Sequence, residues 1–117
     1  MVLQKKNFDT PDEVMAPPNM RRDTVRIGNL AARRFVFQPG WRWSRDVRPV
    51  AGTPSCPAHH FGVLHSGRLG VRADDGQEME YGPGDVMDIP PGHDGWTIGE
   101  EPAVYYEFVC NPTPAKG

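Results

Sequence analysis

The sequence predicts a single all-β domain of the barrel or sandwich type. Glycine and proline are both abundant, with 13 of each among 117 residues, and this composition favours turns over long helices. Short apolar runs alternate with turn signals, which predicts about eight short strands. Regular spacing of this kind is typical of a closed barrel or of two packed sheets, because both limit the number of exposed strand edges.

Length and charge narrow the class of protein further. A chain of 117 residues suits one domain, and its formal net charge of -2 provides no positive field to hold nucleic acid or an anionic membrane. No apolar run typical of a signal peptide or a membrane span follows Lys5 and Lys6. Two cysteines, Cys56 and Cys110, do not make a disulfide scaffold. We therefore expect a cytoplasmic protein that binds neither nucleic acid nor membranes.

Residues 1–22 are predicted to form an N-terminal segment with one short helix. Thr10 can cap this helix and Glu13 can close a capping box. The Pro17-Pro18 pair ends it, because proline cannot continue a helix. The barrel is expected to follow over residues 23–110.

The predicted strands are short and are separated by turn residues. Gly28-Asn29 predicts a hairpin between the first two strands, and Asp74-Asp75-Gly76 predicts another later in the chain. The last residues, 111–117, are expected to form a flexible tail. The predicted strands cover residues 23–27, 31–38, 60–65, 69–73, 78–81, 86–89, 96–98 and 104–109.

Two tryptophans, Trp41 and Trp43, are separated by a single residue. In an extended segment this spacing places both indoles on the same side. They either fill the core, to which tryptophan contributes a large buried area, or form the wall of a ligand pocket. Three prolines and a glycine follow within residues 47–57, which predicts an exposed loop.

A motif of glycines and a proline indicates a more specific fold. Gly84, Pro90 and Gly92 fit the pattern of a glycine, five residues, a proline, one residue and a glycine. An earlier turn ends at Gly67. With these residues, the stretch 48–96 resembles the cupin superfamily, whose two motifs lie on facing strands. The resemblance implies a cupin-type double-stranded β-helix, or jelly-roll barrel.

The metal ligands of that family, usually three histidines and one glutamate, are not carried over unchanged. The first motif of the family runs His-x-His, three or four residues, Glu, six residues and Gly, and Gly67 matches its end. Counted back from Gly67, His60 stands where the glutamate is expected. A three-residue gap then puts Cys56 at the second histidine and Pro54 at the first. In the second motif Gly95 stands at the histidine position, and His93 lies two places earlier. The resemblance therefore implies the fold together with an altered set of donors.

Those donors still form a chemically sensible set. Cys56, His60 and His93 can supply one sulfur and two imidazole nitrogens, which suits Zn²⁺ and leaves a fourth position open. The thiolate also admits copper, whereas the lost carboxylate disfavours Mn²⁺ or a common Fe(II) oxygenase site. The alternative is a hydrogen-bonded strand histidine beside a small buried thiol, with no metal. If His60 faces the interior, strand alternation points His59 and His65 outward.

The corner that follows His93 adds two further candidates. Asp94 and Trp96 can line a ligand entrance, with Asp94 orienting an imidazole. A simple turn built by Asp94 and Gly95 is the alternative. The predicted ligand pocket comprises Trp41, Trp43, Asp94 and Trp96.

Three functions follow from these expectations. The first is a small-molecule-binding or sensing cupin with a metal ion in the barrel, similar to short stand-alone cupins and to cupin modules joined to signalling domains. The second is a metal-dependent enzyme of the oxygenase, isomerase or lyase type, with His93 or Asp94 shuttling a proton. The third is a structural or interaction protein. A homodimer is expected in each case, because small β barrels tend to pair their edge strands.

Overall fold

A computed structural model describes residues 2–110 of the chain. These residues form nine strands and two helical turns. The predicted tail, residues 111–117, lies outside the described part. In chain order the elements are β1 (Glu13–Met15), β2 (Met20–Ile27), β3 (Leu30–Phe37), α1 (Trp43–Asp46), α2 (Arg48–Ala51), β4 (His60–Ser66), β5 (Leu69–Ala73), β6 (Glu78–Tyr81), β7 (Val86–Ile89), β8 (His93–Thr97) and β9 (Ala103–Cys110).

The strands form two antiparallel sheets around one apolar core. The larger sheet has six strands in the order β1-β2-β3-β9-β4-β7, and the smaller has three in the order β6-β5-β8. Leu64 and Met87 are among the most deeply buried side chains and belong to the core between the sheets. The predicted all-β class is confirmed.

Most of the predicted strands are confirmed, because their turn residues act as expected. Ile27 pairs with Leu30 across the Gly28-Asn29 turn, so β2 and β3 form the predicted hairpin. The β5 and β6 strands pair in the same way. At the corner before β8, Gly92 has a φ of 90°, a left-handed conformation that glycine adopts without strain.

The predicted N-terminal helix is wrong, because Glu13–Met15 is a strand that pairs with β2. Glu13, expected to close a capping box, and its neighbour Asp12 contact β2 instead. Glu13 Oε2 accepts a hydrogen bond from Arg26 Nη2 at 2.6 Å, and Asp12 Oδ2 accepts one from the Arg26 backbone N–H at 2.7 Å. A helix ended by Pro17 would also be too short to be stable alone. The six-stranded sheet therefore starts inside the predicted N-terminal segment.

Two other segments differ from their predictions. The predicted loop 47–57 contains the helical turn α2, which ends at Ala51 and is capped by Gly52. Strand β8 begins at His93, earlier than the predicted start at Trp96. Among residues 2–110, no helix has the length and apolar character needed to cross a membrane.

Candidate metal centre

The backbone brings the three candidate ligands to one place. His60 is the first residue of β4, in the six-stranded sheet, and His93 is the first residue of β8, in the three-stranded sheet. Cys56 lies beside β8, because its N–H donates to the His93 carbonyl at 2.8 Å and its carbonyl accepts from the Gly92 N–H at 2.7 Å. The site therefore lies where the two sheets face each other.

The side chains of these residues converge. One donor atom from each of Cys56, His60 and His93 lies within 4.8 Å of the other two. The Cys56 Sγ and His60 Nε2 atoms are 3.8 Å apart. In a tetrahedral zinc site with ordinary bond lengths, a sulfur and a nitrogen ligand are separated by about 3.6 Å. The separation of Cys56 Sγ and His60 Nε2 is thus close to that of two ligands of one zinc ion.

Burial and hydrogen bonding prepare the histidines to act as ligands. Cys56 is 3% exposed and His93 is 5% exposed. His93 Nδ1 lies 2.9 Å from the Pro90 carbonyl oxygen. Since a carbonyl only accepts hydrogen bonds, Nδ1 must carry the proton, which leaves Nε2 as the nitrogen of His93 that can bind a metal.

The thiol and the imidazole perturb each other. Burial raises the pKa of Cys56, but hydrogen bonds with His60 and His93 outweigh this effect and lower the pKa to about 6. Burial lowers the pKa of His60, but hydrogen bonds with Cys56 and Glu107 outweigh it and raise the pKa to about 9. At neutral pH the pair therefore favours a thiolate beside a protonated imidazole. The thiolate is the form of cysteine that binds metals, whereas His60 binds one by releasing its proton.

A buried carboxylate contacts His60 on the side of the ring away from Cys56. Glu107, on β9, accepts a hydrogen bond from His60 Nδ1 at 2.8 Å and another from the Tyr105 hydroxyl at 3.1 Å. Neither Glu107 nor Tyr105 is among the candidates that the sequence predicts. The available signal is strand alternation, which places both residues on one face of the predicted strand 104–109.

The three candidate ligands line a small chamber inside the barrel. Its volume is about 70 Å³, and no Asp, Glu, Lys or Arg of the described residues lines it. Trp41 and Trp43 both border the chamber and also belong to the hydrophobic core. The wall is rich in methionine and aromatic side chains, including Met15, Met20, Met87, Phe35, Phe37, Trp41, Trp43 and Tyr105.

Asp94 and Trp96 do not line this chamber, which corrects their assignment to the ligand pocket. Residues alternate along β8, so that His93, Gly95 and Thr97 are buried while Asp94 and Trp96 are only partly buried on the other face. Nor do Asp94 and Gly95 form a turn, because both lie inside the strand.

On that outer face, the two side chains make structural contacts. Asp94 Oδ1 accepts a hydrogen bond from the Ser44 N–H at 2.9 Å, which ties helix α1 to β8. The Arg42 guanidinium lies 4.8 Å from the Trp96 ring centre. Asp94 therefore lies on the face of β8 opposite His93, where its carboxylate accepts hydrogen bonds from backbone N–H groups, and this placement does not support its assignment as an orienting or proton-shuttling residue.

The other two histidines point away from the chamber, as alternation predicts. His59 is exposed, and its Nε2 atom lies 2.6 Å from Asp88 Oδ1. His65 is exposed and packs edge-on against Tyr106. The predicted difference between His60 and its neighbours is confirmed.

Comparison with known proteins identifies the fold. No family model and no curated protein matches the sequence. Among solved structures, the chain is similar to a protein of unknown function from Rhizobium leguminosarum, with a TM-score of 0.65 and 20% identity over 97% of this chain and 100% of that one. It is also similar to the polyketide cyclase RemF from Streptomyces resistomycificus, with a TM-score of 0.67 and 15% identity over 97% and 83% of the two chains.

The cupin domain of Cnp3 from Schizosaccharomyces pombe is a further similar structure. Its TM-score is 0.59 at 15% identity, over 84% of this chain and 68% of that one. At such identities the likeness shows the fold alone. The chain has the cupin fold, and the predicted jelly-roll barrel is confirmed.

Proposed function

We propose that this protein binds a divalent metal ion through Cys56, His60 and His93, and that the metal-bearing chamber binds a small molecule for recognition or sensing. The observation that carries the proposal is the convergence of the three donor atoms within 4.8 Å at the wall of a cavity. A buried thiolate and two neutral imidazoles fit zinc best by ligand type, with copper as the alternative. Bound there, the metal would act as a Lewis acid and coordinate one donor atom of the small molecule.

The chamber indicates which kind of ligand would fit. Its volume of about 70 Å³ and its apolar wall favour a compact molecule with one donor atom for the metal and an apolar body, because a second charge would be buried without a partner. We expect butanone to raise the melting temperature of the zinc-loaded protein, and succinate, whose second carboxylate would lie against the apolar wall, to leave it unchanged. Stabilisation by succinate alone would contradict this ligand class.

Zinc titration of the metal-free protein against a chromogenic chelator tests the metal site. We expect one zinc ion per chain in the wild type. Each of the variants Cys56→Ala and His93→Ala should bind zinc at least about tenfold more weakly, since loss of even an outer-shell partner of a zinc ligand costs about that much.

His65→Ala provides the matched control, because His65 lies on the same strand as His60 but is exposed. This variant should bind zinc as the wild type does. Equal zinc affinity in the Cys56, His93 and His65 variants would refute the proposed site.

A metal-dependent enzyme is the second candidate function. The observation in its favour is that three donors leave at least one coordination position of a zinc ion open, and these donors line the chamber. Consumption of small neutral carbonyl compounds, followed by NMR, would distinguish the two functions. Turnover that is lost in a His60→Ala/His93→Ala variant but kept in a His59→Ala/His65→Ala variant would favour the enzyme.

A further inference from the structure

Glu107 is a buried carboxylate that contacts a candidate ligand from outside the donor group. We infer that it is a positioning residue, which holds the His60 ring so that Nδ1–H points away from the metal site and Nε2 faces Cys56 and His93. This inference rests on the proposed metal binding.

The hydrogen bond between the two side chains determines which ring nitrogen is free. His60 Nδ1 lies 2.8 Å from Glu107 Oε1. An ionised carboxylate only accepts hydrogen bonds, so Nδ1 must be the donor. The opposite nitrogen, Nε2, therefore faces Cys56 Sγ, which is 3.8 Å away. It is the nitrogen that can bind a metal once it has given up its proton. Histidine ligands of zinc commonly donate their second N–H to a carboxylate in this way.

The carboxylate itself is held by two neighbours. The Tyr105 hydroxyl donates to Oε1 at 3.1 Å, and Arg33 Nη1 lies 3.4 Å from Oε2. Arg33 faces Glu107 directly across the β3–β9 pair. With Glu107 only 2% exposed, these partners compensate a charge that would otherwise be costly to bury. Contacts from β3, β4 and β9 therefore leave the carboxylate little freedom to rotate.

Gly62 allows strands β4 and β9 to lie close together beside Glu107. It pairs with Glu107 across the β4–β9 ladder. A Cβ atom at this position would meet the Tyr106 carbonyl oxygen and would lie 2.7 Å from the Tyr105 hydroxyl and 2.9 Å from Glu107 Cα. The absence of a side chain at Gly62 thus lets Glu107 lie against the strand that carries His60.

Glu107 acts through His60 rather than as a ligand. The group of described residues whose donor atoms lie within 4.8 Å of one another contains Cys56, His60 and His93 and does not include Glu107. Its carboxylate also lies at Nδ1, on the opposite side of the imidazole from the nitrogen that faces Cys56. We therefore expect its removal to weaken the metal site without removing a ligand.

The variant Glu107→Gln tests this role, because it keeps the shape of the side chain and removes its charge. We expect zinc binding about 10–100-fold weaker than in the wild type. The control is Glu80→Gln, the same substitution at an exposed position on β6, which should bind zinc normally. Wild-type affinity in folded Glu107→Gln would overturn the inference.

NMR of the protein labelled with ¹⁵N-histidine gives a second readout that a general loss of stability would not reproduce. In the zinc-loaded wild type, His60 should show a far-downfield Nδ1–H proton and a metal-bound Nε2. In Glu107→Gln this proton should move upfield, since an amide is a weaker acceptor than a carboxylate. A wild-type spectrum with metal on Nδ1 would overturn the inference even if Glu107→Gln does not fold.

These measurements separate the inference from the proposed function. If the wild type binds no zinc, the proposed function fails. The metal-free spectrum then decides the role of Glu107, because the His60 Nδ1–H proton should still be hydrogen-bonded to Glu107 and shift in Glu107→Gln. If the wild type binds zinc and Glu107→Gln binds it equally well, only the role of Glu107 fails.

Discussion

At the scale of single residues, Gly62 connects strand packing to the metal site. Its backbone angles are open to any residue, so only the space at its Cβ position demands glycine. We expect Gly62→Ala to lower the free energy of unfolding by about 1–3 kcal/mol, the usual cost of overpacking, because the nearest atom is a backbone oxygen that cannot move independently. Urea unfolding measures this change.

Gly95→Ala is the matched control for Gly62→Ala. At Gly95 a Cβ atom would meet its nearest neighbours at 3.5 Å and beyond, which is ordinary contact. This variant should retain nearly all of the wild-type stability. A Gly62→Ala variant as stable as Gly95→Ala would show that β4 and β9 are not closely packed at Glu107.

The sequence could identify some site residues and not others for a physical reason. Cys56, His60 and His93 stand at defined spacings from turn glycines, so the resemblance to a known barrel could predict that they meet at one place inside it. The contact between His60 and Glu107 depends on which strand pairs with β9 and in which register, and neither can be obtained from local spacing. The placement of Asp94 depends on where β8 begins: a strand that starts at Trp96 leaves Asp94 at a corner, whereas the strand that starts at His93 directs the Asp94 side chain to the face opposite His93.

At the scale of elements, Asp46 ties helix α1 to its surroundings. Its carboxylate accepts hydrogen bonds from the Arg42 backbone N–H at 3.0 Å and from Arg45 Nη2 at 2.9 Å. It also accepts a longer one from Asn19 Nδ2 at 3.4 Å. The hydrogen bond from Arg45 and that from the Arg42 backbone together outweigh burial and hold the pKa of Asp46 below its ordinary value of 3.8.

This lowered pKa predicts how the stability of the fold depends on pH. The unfolded chain takes up a proton at Asp46 before the folded chain does, so the contribution of Asp46 is complete above about pH 4 to 5 and is lost as the pH falls through 3.8 toward the folded value. In thermal melts between pH 3 and 6, the melting temperature of Asp46→Asn should fall less with decreasing pH than that of the wild type. The exposed control Asp9→Asn should behave like the wild type, and identical slopes in all three proteins would contradict the role of Asp46.

Elements bounded by strong turn signals could be predicted, and those decided by tertiary contacts could not. The β5, β6 and β7 strands match their predicted limits because glycine, proline or aspartate ends each one. The capping pattern at Thr10 and Glu13 is equally strong locally, but pairing with β2 and the ion pair with Arg26 stabilise a strand instead. Local preference is a weak determinant where a sheet edge is available.

At the scale of the whole molecule, the outer face of the six-stranded sheet carries two large exposed aromatic residues. Phe61 is 62% exposed and Phe108 is 74% exposed. Gly62 pairs with Glu107 between β4 and β9, so continuing this register by one residue puts Phe61 opposite Phe108. Exposed apolar clusters of this kind often mark interfaces. The expected homodimer stays a prediction. Light scattering of the wild type and of the double variant Phe61→Lys/Phe108→Lys would test it, and we expect a dimeric wild type and a monomeric variant. A monomeric wild type would contradict the prediction.

The proposed metal site depends on both sheets, since His60 belongs to the larger sheet and His93 to the smaller. X-ray absorption at the zinc edge is the most direct measurement of whether they meet at one ion. It should be made on zinc-loaded Cys110→Ser protein, which leaves Cys56 as the only cysteine of the chain. We expect one sulfur neighbour at about 2.3 Å and two imidazole nitrogens at about 2.0–2.1 Å, and a zinc ion without a sulfur neighbour, or protein that retains no zinc, would contradict the site.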